Sequence, residues 1–190
     1  MKALPRKFYE RDTRIVAREL LGKRLVRRLE DKLLESIIVE TEAYYGSHDP
    51  ASRAFKGKKR YNLVMWGKPG RAFIYNVHNN WLFNIVAHEP DSIGAILVRA
   101  VEPKKGIDTM KENRQVDDPR DLTSGPGKLA RALKIDRTLN GAPLTTEESA
   151  VFITDNAMDF EMGVSHRIGV TRDLEDMLRF YMKGNRFLSR

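Results

Sequence analysis

The chain predicts an α+β fold, a single domain over residues 1–190 with a curved, mostly antiparallel β-sheet and peripheral helices. Three observations carry that expectation. Strand-like runs follow one another across short turns, so the sheet can be built from hairpins. Helical patterns sit between groups of strands instead of alternating with each one, which argues against a parallel α/β sheet. No repeat, low-complexity tract or Pro/Gly/Ser-rich linker divides the chain, and 41% hydrophobic residues suffice for one core.

The elements follow in order. Residues 12–21, DTRIVARELL, read as a short helix with Asp12 as N-cap and Gly22 just past its end. Val16 and Leu20, then Ala17 and Leu21, recur four apart and give it an apolar stripe. KRLVRRL and LLESIIVETEAYY flank Glu30-Asp31 and predict a hairpin. Residues 46–71, rich in Gly, Pro, Lys and Arg, read as a long functional loop. Strands are expected at Ala72–Val77, Trp81–Ala87 and Ala95–Val101, the first two joined by the turn His78-Asn79-Asn80. Helices follow at Ile107–Arg114 and Gly127–Lys134. Short strands at Val151–Thr154, Arg167–Val170 and Arg179–Met182 close the sheet.

Composition narrows the function. No cysteine is present, which excludes disulfides, thiolate metal sites and cysteine nucleophiles. The four histidines are far apart and never at the i, i+4 spacing of a metal motif, so neither a metal nor another cofactor is expected. No apolar run approaches the roughly 18 residues of a membrane span. The N-terminus, MKALPRKFYERD, lacks the apolar middle of a signal peptide, so an intracellular location is expected. A net charge of +8 favours a polyanionic partner, nucleic acid first among them. The positives cluster at Lys23, Arg24, Arg27 and Arg28, and again at Lys56, Lys58, Lys59 and Arg60.

Four stretches could carry chemistry. In IIVETEAYYG, residues 37–46, strand alternation places Ile38, Glu40, Glu42 and Tyr44 on one face. Two acids on such a face either meet solvent or line a site. FIYNVHNNWLFN, residues 73–84, interleaves aromatics with asparagines, either as an aromatic core face or as a base-stacking platform. Arg99, alone in the apolar run LVRAV, must be paired or face a polar cavity. SGPGK, residues 124–128, leaves backbone N–H groups free at a helix start, as an ordinary helix entry or a phosphate contact. It lacks the spacing of a nucleotide P-loop.

Together these residues make the chain resemble the alkyladenine (3-methyladenine) DNA glycosylases, purine-excising enzymes of base-excision repair. ARELLGKRLVRR, IIVETEAYYG, MWGKPGRAFIYN, ILVRAVEP, DLTSGPGKLARAL, HRIGV and LRFYMKG occur in the family's order over nearly the whole length. The resemblance implies that Glu42 is the general base that activates water, with Arg99 beside the water and the sugar. It implies stacking of an extruded base by Tyr44 and Tyr75 and screening of purines by Asn84. Glu40 falls to a supporting role. Ile168 and Gly169 match a segment whose backbone approaches the site, Gly169 on the DNA-backbone side. Ser124, Gly125 and Lys128 match DNA-backbone contacts.

Two positions depart from the family pattern. Arg53 stands where most members carry a histidine that stacks on the base and supplies a backbone acceptor. Stacking by its guanidinium plane is compatible with base binding, and its carbonyl remains. His78 stands where many members wedge a tyrosine into the duplex. The implied reaction is monofunctional: a damaged purine of the 3-methyladenine, 7-methylguanine, hypoxanthine or ethenoadenine class is flipped from double-stranded DNA and hydrolysed away by water, leaving an abasic site. Arg99 is expected to keep Glu42 ionised. The resemblance further implies a monomer in the cytoplasm, associated with the nucleoid. The alternative is a non-catalytic nucleic-acid-binding domain on the same scaffold.

Overall fold

The computed structural model describes residues 1–189. Eight strands form one antiparallel sheet curled into a half-barrel: β1 (Arg24–Leu29), β2 (Lys32–Tyr44), β3 (Ala72–Val77), β4 (Asn80–Val86), β5 (Ala95–Lys105), β6 (Val151–Thr154), β7 (Met162–Ser165) and β8 (Arg179–Met182). The main path runs β3-β4-β5-β2-β1-β6, with β8 paired to β2 and β7 to β8. Five short α-helices lie around it: α1 (Arg6–Tyr9), α2 (Thr13–Glu19), α3 (Ile107–Arg114), α4 (Pro119–Leu122) and α5 (Pro126–Ala132). The α+β expectation holds.

β2 organises the sheet. Its first half pairs with β1, its second half with β8, and nearly its whole length with β5. Covered on every side, it is buried without a break from Leu34 to Ala43. Helix α2 docks on it through Val16, Ala17 and Leu20, and the Thr41 hydroxyl donates to the Ala17 carbonyl at 2.8 Å. Asp12 caps this helix as expected, accepting from the N–H groups of Arg14 and Ile15 at 2.9 and 3.1 Å. Such a cap stabilises by about 0.5–2 kcal/mol.

The β2–β5 ladder slips and recovers at the two acids. Ile38 faces Val101, Glu40 faces Ala100 and Thr41 faces Val98, so Val39 on one strand and Arg99 on the other have no counterpart. These are two compensating bulges. Bulges re-aim side chains, and here one of the re-aimed side chains is Arg99.

The other turns show local chemistry at work. Glu30, at φ 55°, begins the two-residue β1–β2 turn. The β3–β4 turn is also two residues, His78 and Asn79, with φ 47° and 61°. Asn80 belongs to β4, which corrects the three-residue turn expected from the sequence. Two positive φ values match the right-handed twist of a hairpin, and His and Asn tolerate that region better than most residues.

One expected strand is absent. Residues 167–170 are irregular with a bend at Ile168 and Gly169, and β7 at Met162–Ser165 takes the edge position. Gly169, at φ 74°, breaks extended geometry, and the Arg167 side chain is drawn inward to carboxylates. The loop at 46–71 contains a 3₁₀ helix over Arg60–Trp66, held by Asn62, whose side chain accepts from Lys59 N–H and donates to the Arg53 carbonyl.

Gly94 allows α2 to close on the sheet. An added Cβ there would lie 2.1 Å from Thr13 Oγ1 and 2.8 Å from the Ala87 carbonyl. Gly94→Ala should lower unfolding free energy by about 1–3 kcal/mol, the usual cost of overpacking, read from urea midpoints. An unchanged midpoint would show that this contact yields without cost.

Candidate active site

Both acids of β2 converge on Arg99. Its Nε donates to Glu40 Oε1 at 3.0 Å and its Nη1 to Glu42 Oε2 at 3.2 Å. All three side chains are buried. The shared face expected from alternation is therefore an ion-paired one. Glu40 has further donors in Arg179 Nε at 2.8 Å, Ser189 N–H at 2.6 Å and Ser189 Oγ at 2.7 Å. It is a structural acid that fixes the guanidinium.

Glu42 has a different shell. Oε1 accepts from the Ile168 N–H at 2.7 Å, and Oε2 accepts from the Tyr44 hydroxyl at 2.7 Å as well as from Arg99. Burial raises its pKa. Arg99, the Ile168 N–H and Tyr44 pull it back only in part, so it stays above the usual carboxylate range. The expectation that Arg99 holds Glu42 ionised is right in direction, but dehydration outweighs it.

The aromatics stand beside this carboxylate, each with a guanidinium on its ring. Arg167 lies 4.4 Å from the Tyr44 ring centroid, and Arg53 lies 4.7 Å from that of Tyr75. Arg167 is fully buried and bridges Asp49, at 2.7 and 2.8 Å, and Asp173. Burial works against the Asp49 carboxylate, yet Arg167 and the N–H groups of Tyr45 and Ala51 hold its pKa below the usual range. Burial and the neighbouring Glu42 push the Tyr44 hydroxyl well up. Asn84 is buried, with its amide donating to the Phe73 and Leu82 carbonyls.

Two concavities are lined by hydrogen-bond partners of Glu42, one by Arg99 and the other by Tyr44. A groove of about 750 Å³ runs from His78 past Ser124, Gly125 and Lys128 to Arg99. A narrow slot is lined by Tyr44, Arg53, Tyr75 and Asn84, with free space of only about 10 Å³, room for one water. Glu42 itself has no exposed surface and is reached through its neighbours Arg99 and Tyr44. Gly127 packs against Asn80, so α5 and the His78 turn border the same groove. Ile168 and Gly169 sit on the far side, the former against Glu42 and the latter exposed.

The charge clusters divide. Arg24 pairs with Glu35, Lys23 with Asp155, and Arg27 donates to carbonyls including those of Leu133 and Ala150, so three of the first cluster are consumed structurally, while Arg28 stays exposed over the Phe152 ring. Lys56, Lys58, Lys59 and Arg60 stay exposed on the loop that carries Arg53. Lys128 is tied to Asp121 at 3.2 Å. Among the described residues no group of three His, Cys, Asp or Glu is placed to hold a metal ion, and no helix is long and apolar enough to cross a membrane.

Sequence reasoning missed Asp49, Arg167, Arg179 and Ser189. Arg167 and Arg179 carried the signal that marked Arg99, a lone cation in an apolar stretch. Ser189 carried none.

A dehydrated carboxylate whose partners Arg99 and Tyr44 line a groove and an aromatic slot has the chemistry to accept a proton from water and stabilise a nearby cation, as a hydrolase requires. The comparisons agree. The model of the methylpurine-DNA glycosylase (MPG) family matches residues 7–186. Proteins named "Putative 3-methyladenine DNA glycosylase" are 43% identical in Aeropyrum pernix, over 100% of this chain and 94% of theirs, and 42% identical in Carboxydothermus hydrogenoformans, over 98% of each. A third, from Methanoculleus marisnigri, is 41% identical over 98% of each. The chain belongs to the methylpurine-DNA glycosylase family and is a DNA glycosylase, a hydrolase of N-glycosyl bonds.

Arg99→Ala would strip Glu42 of its ion-pair partner, while Glu40 keeps Arg179 and Ser189. Removing one partner of such a buried pair costs about 3–5 kcal/mol. Unpaired, Glu42 would have its folded-state pKa raised further above that of the unfolded chain. Protonation then relieves the penalty, so the destabilisation should be larger at pH 8 than at pH 5. Denaturant midpoints at the two pH values check both the size and the sign.

Proposed function

We propose that this glycosylase extrudes a damaged purine from duplex DNA and hydrolyses its bond to the sugar with a water activated by Glu42. The supporting observation is the shell of Glu42: Arg99, the Tyr44 hydroxyl and the Ile168 N–H around an acid with no solvent contact. Such a shell orients one carboxylate edge and exceeds what a structural acid needs, because Glu40 already pairs Arg99 with the sheet.

In this reading the nucleotide must leave the stack, since a base within the duplex is out of reach. Unstacking costs a few kcal/mol and less for damaged or mispaired bases. The exposed turn at His78-Asn79 fills the gap. Ser124, Gly125 and Lys128 hold the backbone along the groove. The purine enters the slot between Tyr44 and Tyr75, each stack contributing about 1–3 kcal/mol, with Asn84 and Ile168 at its edges. Because that slot holds only one water, entry requires its side chains to part. As the C–N bond breaks, positive charge grows on the sugar. Glu42 stabilises it and takes the proton of the attacking water. No amine nucleophile is involved, so the product is an abasic site in an uncut strand. The substrate places the enzyme with intracellular DNA, where it acts as a monomer.

Glu42→Gln should bind duplex as well as the parent while losing roughly two to four decades of single-turnover excision. Excision at the parent rate by that variant would remove Glu42 from the reaction. The pH profile gives a second test. The reaction needs the carboxylate, and burial raises its pKa, so the rate should climb with pH along an acid limb displaced above the usual carboxylate range. Tyr44→Phe deletes a donor to the ionised form and should move that limb further towards neutrality. An unmoved limb would mean that the tyrosine does not touch the titrating group.

A further inference from the structure

Arg53 stands out among the cations of the site because, among the described residues, no carboxylate lies within ion-pair distance of it. Arg99 is matched by Glu40 and Glu42, and Arg167 by Asp49 and Asp173. Burial draws the Arg53 pKa down, but the hydroxyls of Tyr75 and Tyr61 outweigh it and keep it above its ordinary value. The guanidinium lies 4.7 Å from the Tyr75 ring centroid. It lines both the slot and an outer cleft of about 590 Å³ bounded by Tyr61, Tyr75 and Trp81. Although Arg53 is exposed, it is thus a positive charge without a carboxylate partner at the wall of the slot.

The aromatic walls reinforce this. A bare tyrosine face attracts a cation through its ring quadrupole. Here Arg53 sits over Tyr75 and Arg167 over Tyr44, so both rings already carry one. The nearby acid, Glu42, accepts from Arg99, Tyr44 and Ile168. The slot therefore attracts a positively charged ring less than bare tyrosine rings and a free carboxylate would.

Damaged purines fall into two electrostatic groups. Alkylation at N3 or N7 fixes a positive charge on the base, whereas deamination or closure of an etheno ring leaves it neutral. We infer that Arg53 is a specificity-determining residue that turns this site towards neutral damaged purines and against cationic ones. The inference rests on the base-excision reading above and names its substrate class. For a neutral purine, water adds its oxygen to the sugar carbon, its proton passes to Glu42, and the electron pair of the broken C–N bond departs on the base. That base leaves as an anion, which the N–H donors of Arg53 stabilise before solvent protonates it. A cationic purine takes the same pair to become neutral and gains nothing from the guanidinium, while its entry meets like charge.

The test is single-turnover excision from duplexes carrying one hypoxanthine or one 7-methylguanine, with the parent, Arg53→Gln and Arg53→Lys. Comparing each variant with the parent cancels the intrinsic lability of the two lesions. The rate ratio of 7-methylguanine to hypoxanthine should rise about tenfold or more in Arg53→Gln, as expected for losing one charge close to the base. Arg53→Lys, which retains the charge, should stay within about threefold of the parent. An unchanged ratio in Arg53→Gln overturns the inference, as does a lysine variant that behaves like the glutamine one. Failure of the parent to excise either base, or full activity of Glu42→Gln, would instead sink the base-excision reading itself.

Discussion

The contact on which the site depends is the guanidinium of Arg99 between two carboxylates in a dry sheet. Taking those charges out of water costs several kcal/mol for each ion, and only close, well-satisfied geometry returns it. Glu40 provides much of that geometry. It holds Arg99 from one side and receives Arg179 and Ser189 from the other, so the guanidinium has little freedom. Glu42 then meets a cation whose position is already determined. One acid is consumed by structure, and its neighbour two residues on shares the same guanidinium with fewer partners.

This division of labour explains why the pKa of the carboxylate stays raised despite its partners. A single arginine shared between two acids neutralises each incompletely, and dehydration prevails over what remains. A proton acceptor gains from that state, because a carboxylate of ordinary acidity is a poor base at neutral pH. The Tyr44 hydroxyl and the Ile168 N–H moderate the shift without cancelling it.

Much of this was legible in the sequence, for identifiable reasons. Alternation placed Glu40 and Glu42 together, and the cost of an unpaired arginine in LVRAV required acids for Arg99, which the fold supplied. Asp12 and the β1–β2 turn declared themselves through local capping and turn chemistry. The Arg167–Val170 strand did not survive, because a propensity reading ignores the pull of Asp49, more than a hundred residues away, on Arg167. The same long-range pairing hid Asp49 as a member of the site. The basic cluster at Lys23–Arg28 looked like a nucleic-acid patch, since charge counts cannot show that Glu35, Asp155 and backbone carbonyls absorb Lys23, Arg24 and Arg27 and leave only Arg28 exposed.

The paired bulges of β2 and β5 have a consequence for how such a site can change over time. Val39 and Arg99 each insert one residue, and the two insertions cancel, so both strands resume the register they had before. From Thr41 to Tyr44 the ladder then runs without a further shift; the one other irregularity lies at the far end, between Glu35 and Ser36. Loss of either extra residue alone would leave the following rungs paired as they are but regularise the ladder at that point, and with it the aim of Glu40 and Arg99 towards each other. Substitutions around the slot can therefore drift and retune what it accepts, whereas the lengths of these two strands at the bulges are held by the one ion pair they aim.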